Sequence, residues 1–128
     1  MKEVIFTDKA TKPTATYSQA VKAGNQVYLA GVCGDDPVTG KIMGDGDIAI
    51  EARYAMENLK NTIEAAGGCM NDLVMVQIYI NDIEKMDALN PVYASYFENG
   101  YLPARIAMEV SRFAGGANLE INAFAVIE

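Results

Sequence analysis

Apolar positions along this chain switch between a two-residue and a three-to-four-residue repeat, and each switch marks an element. Met1 to Phe6 predicts a short first strand, and Thr7 to Thr16, polar and carrying Pro13, predicts a loop. Tyr17 to Lys22 alternates, Ala23-Gly24-Asn25 has turn chemistry, and Gln26 to Gly31 returns as its hairpin partner. Gly34 to Gly46, rich in Gly and Asp, predicts a long loop of the kind that shapes a surface or cleft. A helix follows, capped by Asp47 or Asp45 and ended by Gly67-Gly68. Ile48, Ala52, Met56, Leu59, Ile63 and Ala66 make its apolar stripe, and Glu51, Arg53, Glu57, Lys60 and Glu64 are expected on its solvated side.

Asp72 to Asn81 is a strand with Val74, Val76, Ile78 and Ile80 on one face and Leu73, Met75, Gln77 and Tyr79 on the other. Both faces are largely apolar, so both need cover. A helix can cover one, and a subunit interface is the natural cover for the other. Ile83 to Leu89 predicts a short helical turn, and Asn90-Pro91 an N-cap opening a helix that runs to about Glu98, with Gly100 as terminator. Met86, Leu89, Tyr93, Tyr96 and Phe97 would be its buried side. Leu102 to Val110 and Leu119 to Ile127 predict two last strands, paired as a hairpin if the turn from Phe113 to Asn118 closes. The order β-β-β-α-β-α-β-β predicts one α+β domain over residues 1–128, a single mixed sheet with two helices on one face.

Arg105 stands out in the first of these two strands. It follows Pro103, which marks the strand's start because it has no N–H to give. Alternation sets Arg105, Ala107 and Glu109 against Ile106, Met108 and Val110. A guanidinium there can grip a carboxylate bidentately, although a structural ion pair is the commoner reason for such an arginine.

Charge sharpens the point. The net charge is −7, which argues against nucleic acid as the main partner and repels small anions at long range. An anion site here needs a local, well-placed cation. The chain has no histidine, so the commonest general base and metal ligand are missing. Chemistry falls to carboxylates, tyrosine, cysteine or backbone groups. Glu120 shares a face with Asn122 on an otherwise apolar strand, where a carboxylate needs a partner or a task. Tyr17, at the opening of its strand, could reach a ligand with its hydroxyl. Cys33 and Cys69 form no CxxC pair, are expected as free thiols, and lack a histidine to activate them. Asp35-Asp36 and Asp45/Asp47 lack EF-hand spacing. No apolar run is long enough to span a bilayer and the first residues lack signal-peptide character, so a cytoplasmic setting and no membrane partner are expected.

Taken together, Tyr17-Ser18-Gln19-Ala20-Val21, Ala30-Gly31, Glu64-Ala65-Ala66-Gly67, the segment from Asn90 to Phe97, Pro103-Ala104-Arg105 and Glu120-Ile121 with Ala123 resemble the Rid (YjgF-type) family over nearly the whole length. The likeness is to its RidA-like 2-iminobutanoate/2-iminopropanoate deaminases. The resemblance implies a chorismate-mutase-like α+β fold and a homotrimer with a central barrel, outer helices and three clefts between neighbouring subunits. It implies cofactor-free hydrolysis of 2-imino acids and their enamine tautomers, of the 2-aminoacrylate type, to 2-keto acids and ammonia. Arg105 would hold the substrate carboxylate and Glu120 a water. Tyr17, Gly31, Asn90 and the backbone N–H of Ala107 would complete the substrate site.

The chain departs from the family pattern at Ala15-Thr16, Val32, Ile106, Ala107 and Asn122, each of which is commonly another residue there. Fewer polar side chains in the pocket predict a preference for larger or more apolar imino acids. A trimer that binds small carboxylates without turning them over is the first alternative. An RNA-cleaving role, attributed to some family members, is disfavoured by the acidic charge and the missing histidine.

Overall fold

The computed structural model describes residues 1–98 and 100–128. Eight elements appear in the predicted order: β1 (Lys2–Ile5), β2 (Ala20–Ala23), β3 (Gln26–Val32), α1 (Ile48–Ala65), β4 (Leu73–Ile80), α2 (Met86–Ala94), β5 (Ala104–Glu109) and β6 (Leu119–Val126). The strands form one six-stranded sheet ordered β1-β2-β3-β6-β4-β5. Neighbours are antiparallel except β4 and β5, which run parallel through the α2 crossover.

The expected hairpin between the Arg105 strand and the last strand does not form. β6 slots between β3 and β4, and β5 lies at the edge beyond β4. A strand, a helix and a further strand favour a parallel crossover, and the Phe113–Asn118 turn then carries the chain across β4 rather than back on itself.

α1 begins where Asp47 accepts from the backbone N–H groups of Ala49 and Ile50 at 3.0 and 3.3 Å. It ends at Gly67, whose φ of 93° suits only glycine without strain. Its predicted stripe is buried throughout. Glu51, expected in solvent, is fully buried instead. Its two carboxylate oxygens accept from the backbone N–H and side-chain amide of Asn118, each at 2.7 Å. Gly34 packs against Glu51 so closely that a Cβ there would overlap it.

α2 begins at Met86, after a 3-10 turn over Ile83–Lys85. Asn90 and Pro91 therefore lie inside the helix and do not open it, and the helix stops at Ala94. Pro91 is exposed, and the preceding turn supplies the helical lead-in that Asn90 was expected to start. The buried side otherwise matches: Met86, Leu89, Tyr93 and Phe97 are in the core, with Tyr96 half-buried at its edge.

Both helices cover the same face. Val27 and Leu29 of β3, Val76, Ile78 and Ile80 of β4, and Leu119, Ile121, Ala123 and Ala125 of β6 fill the space beneath them. Val74 leaves this set, because β4 carries one extra residue between Leu73 and Met75 against β6. That bulge flips the alternation, so Leu73 is buried and Val74 exposed. Among the described residues no helix or strand covers the opposite face of the sheet. Tyr28, Ile106, Met108 and Phe124 are exposed on it, with Tyr28 stacked on Phe124 at 5.7 Å. Among the described residues no helix is long and apolar enough to cross a membrane.

Candidate functional site

One end of β3 builds the site. Between Leu29 and Val32, β3 spends one residue more than β6 does between Ile121 and Ala123, so a bulge opens the ladder at Ala30-Gly31. Glu120 lies across this gap. A Cβ on Gly31 would sit 2.7 Å from the Glu120 carboxyl carbon, so glycine is what admits that side chain. Beside them opens a cavity of about 420 Å³, lined by Tyr17, Gly31, Cys33, Asp35 and Glu120 and walled by the loops around Pro13, Val38 and Gly115.

Tyr17 does not open a strand. It sits three residues ahead of β2, in a loop fastened by Gln19. The buried Gln19 amide donates to the carbonyls of Thr7 and Thr11 at 3.0 and 2.8 Å and accepts from the N–H of Thr7 at 2.7 Å. The far wall is fastened by Asn58 of α1, which donates to the carbonyls of Cys33 and Asp35 at 2.9 and 3.0 Å. Asp35 also accepts from the Thr11 hydroxyl at 2.6 Å. Asp35 is thus consumed by structure, and among the described residues no cluster of three or more His, Cys, Asp or Glu side chains could hold a metal ion.

Cys33 and Cys69 are both free thiols. Burial first, then the negative charges of Glu120, Asp35 and Glu51, push the Cys33 thiol up to about 12. It stays protonated near neutrality and is a poor nucleophile.

Arg105 is elsewhere. Its register partner on β4 is Val76, and that of Val76 on β6 is Ala123, both buried beneath the helices. Glu120 pairs with Tyr79, whose neighbour on β5 is Met108, on the uncovered face. Arg105 and Glu120 therefore belong to one sheet but to opposite faces of it. Arg105, exposed at the sheet edge, donates to the side-chain oxygen of Asn90 at 2.9 Å and lies 4.9 Å from the centre of the Tyr93 ring. Burial raises the Tyr93 hydroxyl to about 12 against the opposing pull of Arg105, and among the described residues that hydroxyl has no hydrogen-bond partner.

Sequence candidates thus fall into two groups. The fold gathers Tyr17, Gly31 and Glu120 at the cavity, and places Arg105, Asn90 and Ala107 on β5 and α2. Asn90, expected at the substrate site, accepts from the Arg105 guanidinium in this structure. Tyr93, expected only as core, joins them beneath the guanidinium, and its place one helical turn beyond Asn90 is the signal the sequence carries for it.

Comparison with known proteins agrees with this architecture. The model of the family described as Endoribonuclease L-PSP matches residues 7–127. A RutC family protein of Pyrococcus horikoshii is 47% identical over 128 residues, covering all of both chains. The 2-iminobutanoate/2-iminopropanoate deaminase of Rattus norvegicus is 36% identical over 126 residues, 98% of this chain and 90% of its own. The crystal structure of RidA from an Antarctic Psychrobacter superposes with a TM-score of 0.92 at 38% identity, covering 98% of this chain and 99% of that one. A family model that spans residues 7–127, with relatives alike over the full length in sequence and in fold, shows that this chain belongs to the YjgF/Rid family.

Proposed function

We propose that this chain hydrolyses reactive 2-imino acids and their enamine tautomers to 2-keto acids and ammonia, using its own side chains without a cofactor. The observation that carries the reading is the Glu120 carboxylate, laid into a half-enclosed cavity through the gap that Gly31 leaves. The named activity of the rat relative supports the choice of substrate.

In this reading Arg105 binds the substrate carboxylate through its forked N–H groups, presented by Asn90 and Tyr93. The carboxylate fixes the adjacent C2 carbon, and the N–H of Ala107 adds a donor on the same side of β5. Glu120 accepts a proton from a water as its oxygen attacks C2 of the C=N bond. Glu120 passes that proton to the nitrogen, giving the carbinolamine; the carbinolamine hydroxyl then gives up its proton, which is relayed to the amine, and ammonia leaves as the C=O bond forms. Tyr17 closes the cavity over the reacting atoms.

Arg105 and Glu120 of one copy cannot meet across their own sheet. We place the working site between copies of a homotrimer, with Arg105 of one copy facing the cavity of the next. The uncovered apolar sheet face supports such an assembly, because Tyr28, Ile106, Met108 and Phe124 lie bare in the single chain. A cytoplasmic enzyme is the corresponding setting.

The test is a coupled assay. A pyridoxal-phosphate dehydratase generates 2-aminoacrylate or 2-aminocrotonate, and keto-acid formation is followed with wild type, Arg105→Ala and Glu120→Gln. Acceleration by wild type alone is expected. Equal rates with and without wild type would overturn the reading, and 2-keto acid binding in that case would mark a carboxylate-binding protein instead. Binding of single-stranded RNA that weakens with added salt would favour the nuclease activity named in the family description, which the net charge of −7 opposes.

A further inference from the structure

Cys33 belongs to the cavity but has no part in the reaction just described. Its sulfur lies 3.8 Å from one carboxylate oxygen of Glu120. Two features bring the pair together. The bulge at Ala30-Gly31 turns the end of β3 so that the Cys33 side chain follows Gly31 along the cavity wall. The Asn58 amide, donating to the Cys33 carbonyl at 2.9 Å, fixes that backbone from the helix side.

From this geometry we infer that Cys33 is a positioning residue, whose S–H donates to the Glu120 carboxylate and keeps it aimed into the cavity. The inference rests on the deaminase reading for its consequence in catalysis, but the contact itself can be read separately. A thiol that kept its ordinary titration point of 9.0 would lose its proton in alkaline solution and repel the carboxylate. Burial and the surrounding negative charge prevent that, so the sulfur remains a donor. The other titratable groups around the pair are Asp35 and Glu51, which act on the thiol, Tyr17 and Lys12 on the cavity wall, and Tyr79 across the ladder from Glu120.

The sign follows from which form is bonded. A donor to the charged carboxylate lowers its pKa, and removing the donor raises it. Cys33→Val fills the same space with a slightly larger apolar side chain and deletes the donor, whereas Cys33→Ser keeps a donor. The Glu120 side-chain carboxyl is titrated by carbon-13 NMR in the whole protein, with Glu120→Gln identifying its resonance. Cys33→Val is expected to move the titration upward by about half a unit, the size a weak S–H donor supports, and Cys33→Ser to keep it near wild type. An unchanged or lower value in Cys33→Val would overturn the inference.

The low-pH limb of kcat/KM, measured on the same variants, should move with the NMR value. If wild type shows no turnover at all, the deaminase reading fails, while the NMR titration still decides the role of Cys33.

Discussion

Arg105 and Glu120 lie on opposite faces of one sheet, with β4 between their strands. The proposed carboxylate clamp and the proposed water-holding carboxylate, which have to touch one small substrate, are thus kept apart within each chain. The proposed site exists only where a second copy brings its edge strand to the cavity.

This separation makes complementation the sharpest test. Arg105→Ala and Glu120→Gln should each lower kcat/KM by about 10- to 100-fold or more, since a charge-assisted hydrogen bond contributes about 1.5–3 kcal/mol. Subunits of the two inactive variants, unfolded together and refolded as mixed oligomers, should regain activity that neither shows alone. Refolded mixtures with no gain would show that each chain completes its own site.

Asn90 should act on binding more than on chemistry. It holds the Arg105 guanidinium at 2.9 Å from within α2. Asn90→Ala should raise KM about tenfold with little change in kcat, the effect of about 1.5 kcal/mol, the lower end for a hydrogen bond to a charged group. Steady-state kinetics on the coupled assay separates the two constants.

Gly31→Ala tests the fit of Glu120. The added Cβ falls 2.7 Å from the carboxyl carbon, and the Glu120 side chain has to move to admit it. Activity should fall at least tenfold. The melting temperature should change little, because the displaced group is the end of a side chain at a cavity. A crystal structure of the variant should show Glu120 turned from its place beside Cys33.

Glu51→Ala should destabilise the fold. Glu51 has no solvent exposure, and its loss strands the backbone N–H and side-chain amide of Asn118. Each buried orphan donor costs about 1–3 kcal/mol, so the denaturation midpoint in urea should drop clearly. Asn118 leads directly into Leu119-Glu120, so residual activity measured well below the transition should fall as well.

The thiols should separate by reactivity. Cys69 is exposed, whereas Cys33 is half-buried with its titration raised to about 12. A raised thiol pKa means that the reactive thiolate is scarce until the pH approaches that value. Iodoacetamide at pH 8 should therefore label Cys69 and spare Cys33, with Cys33 labelled after denaturation. Peptide mass spectrometry reads both sites.

The chain's local patterns determined which elements exist. The helix from Asp47 to Gly67, the strand through Val76 and the order of all eight elements were legible, because side-chain periodicity, capping and turn chemistry act between residues a few positions apart. Arg105 and Glu120 were legible as candidates because charge on an apolar strand needs a reason.

Partnership was not legible in the same way. That β6 enters between β3 and β4, and that Arg105 faces the helices while Glu120 faces away, depends on pairings across roughly thirty to a hundred residues that no local period encodes. One extra residue at Val74 and another at Ala30-Gly31 reversed which side chains point inward, since a strand alternates with a period of two. Glu51 was read as solvated because its charge is visible in sequence, and its partner Asn118, distant along the chain, is not. Tertiary structure decided where each charge found its donors, because the cost of burying a carboxylate is settled by the groups the fold brings to it.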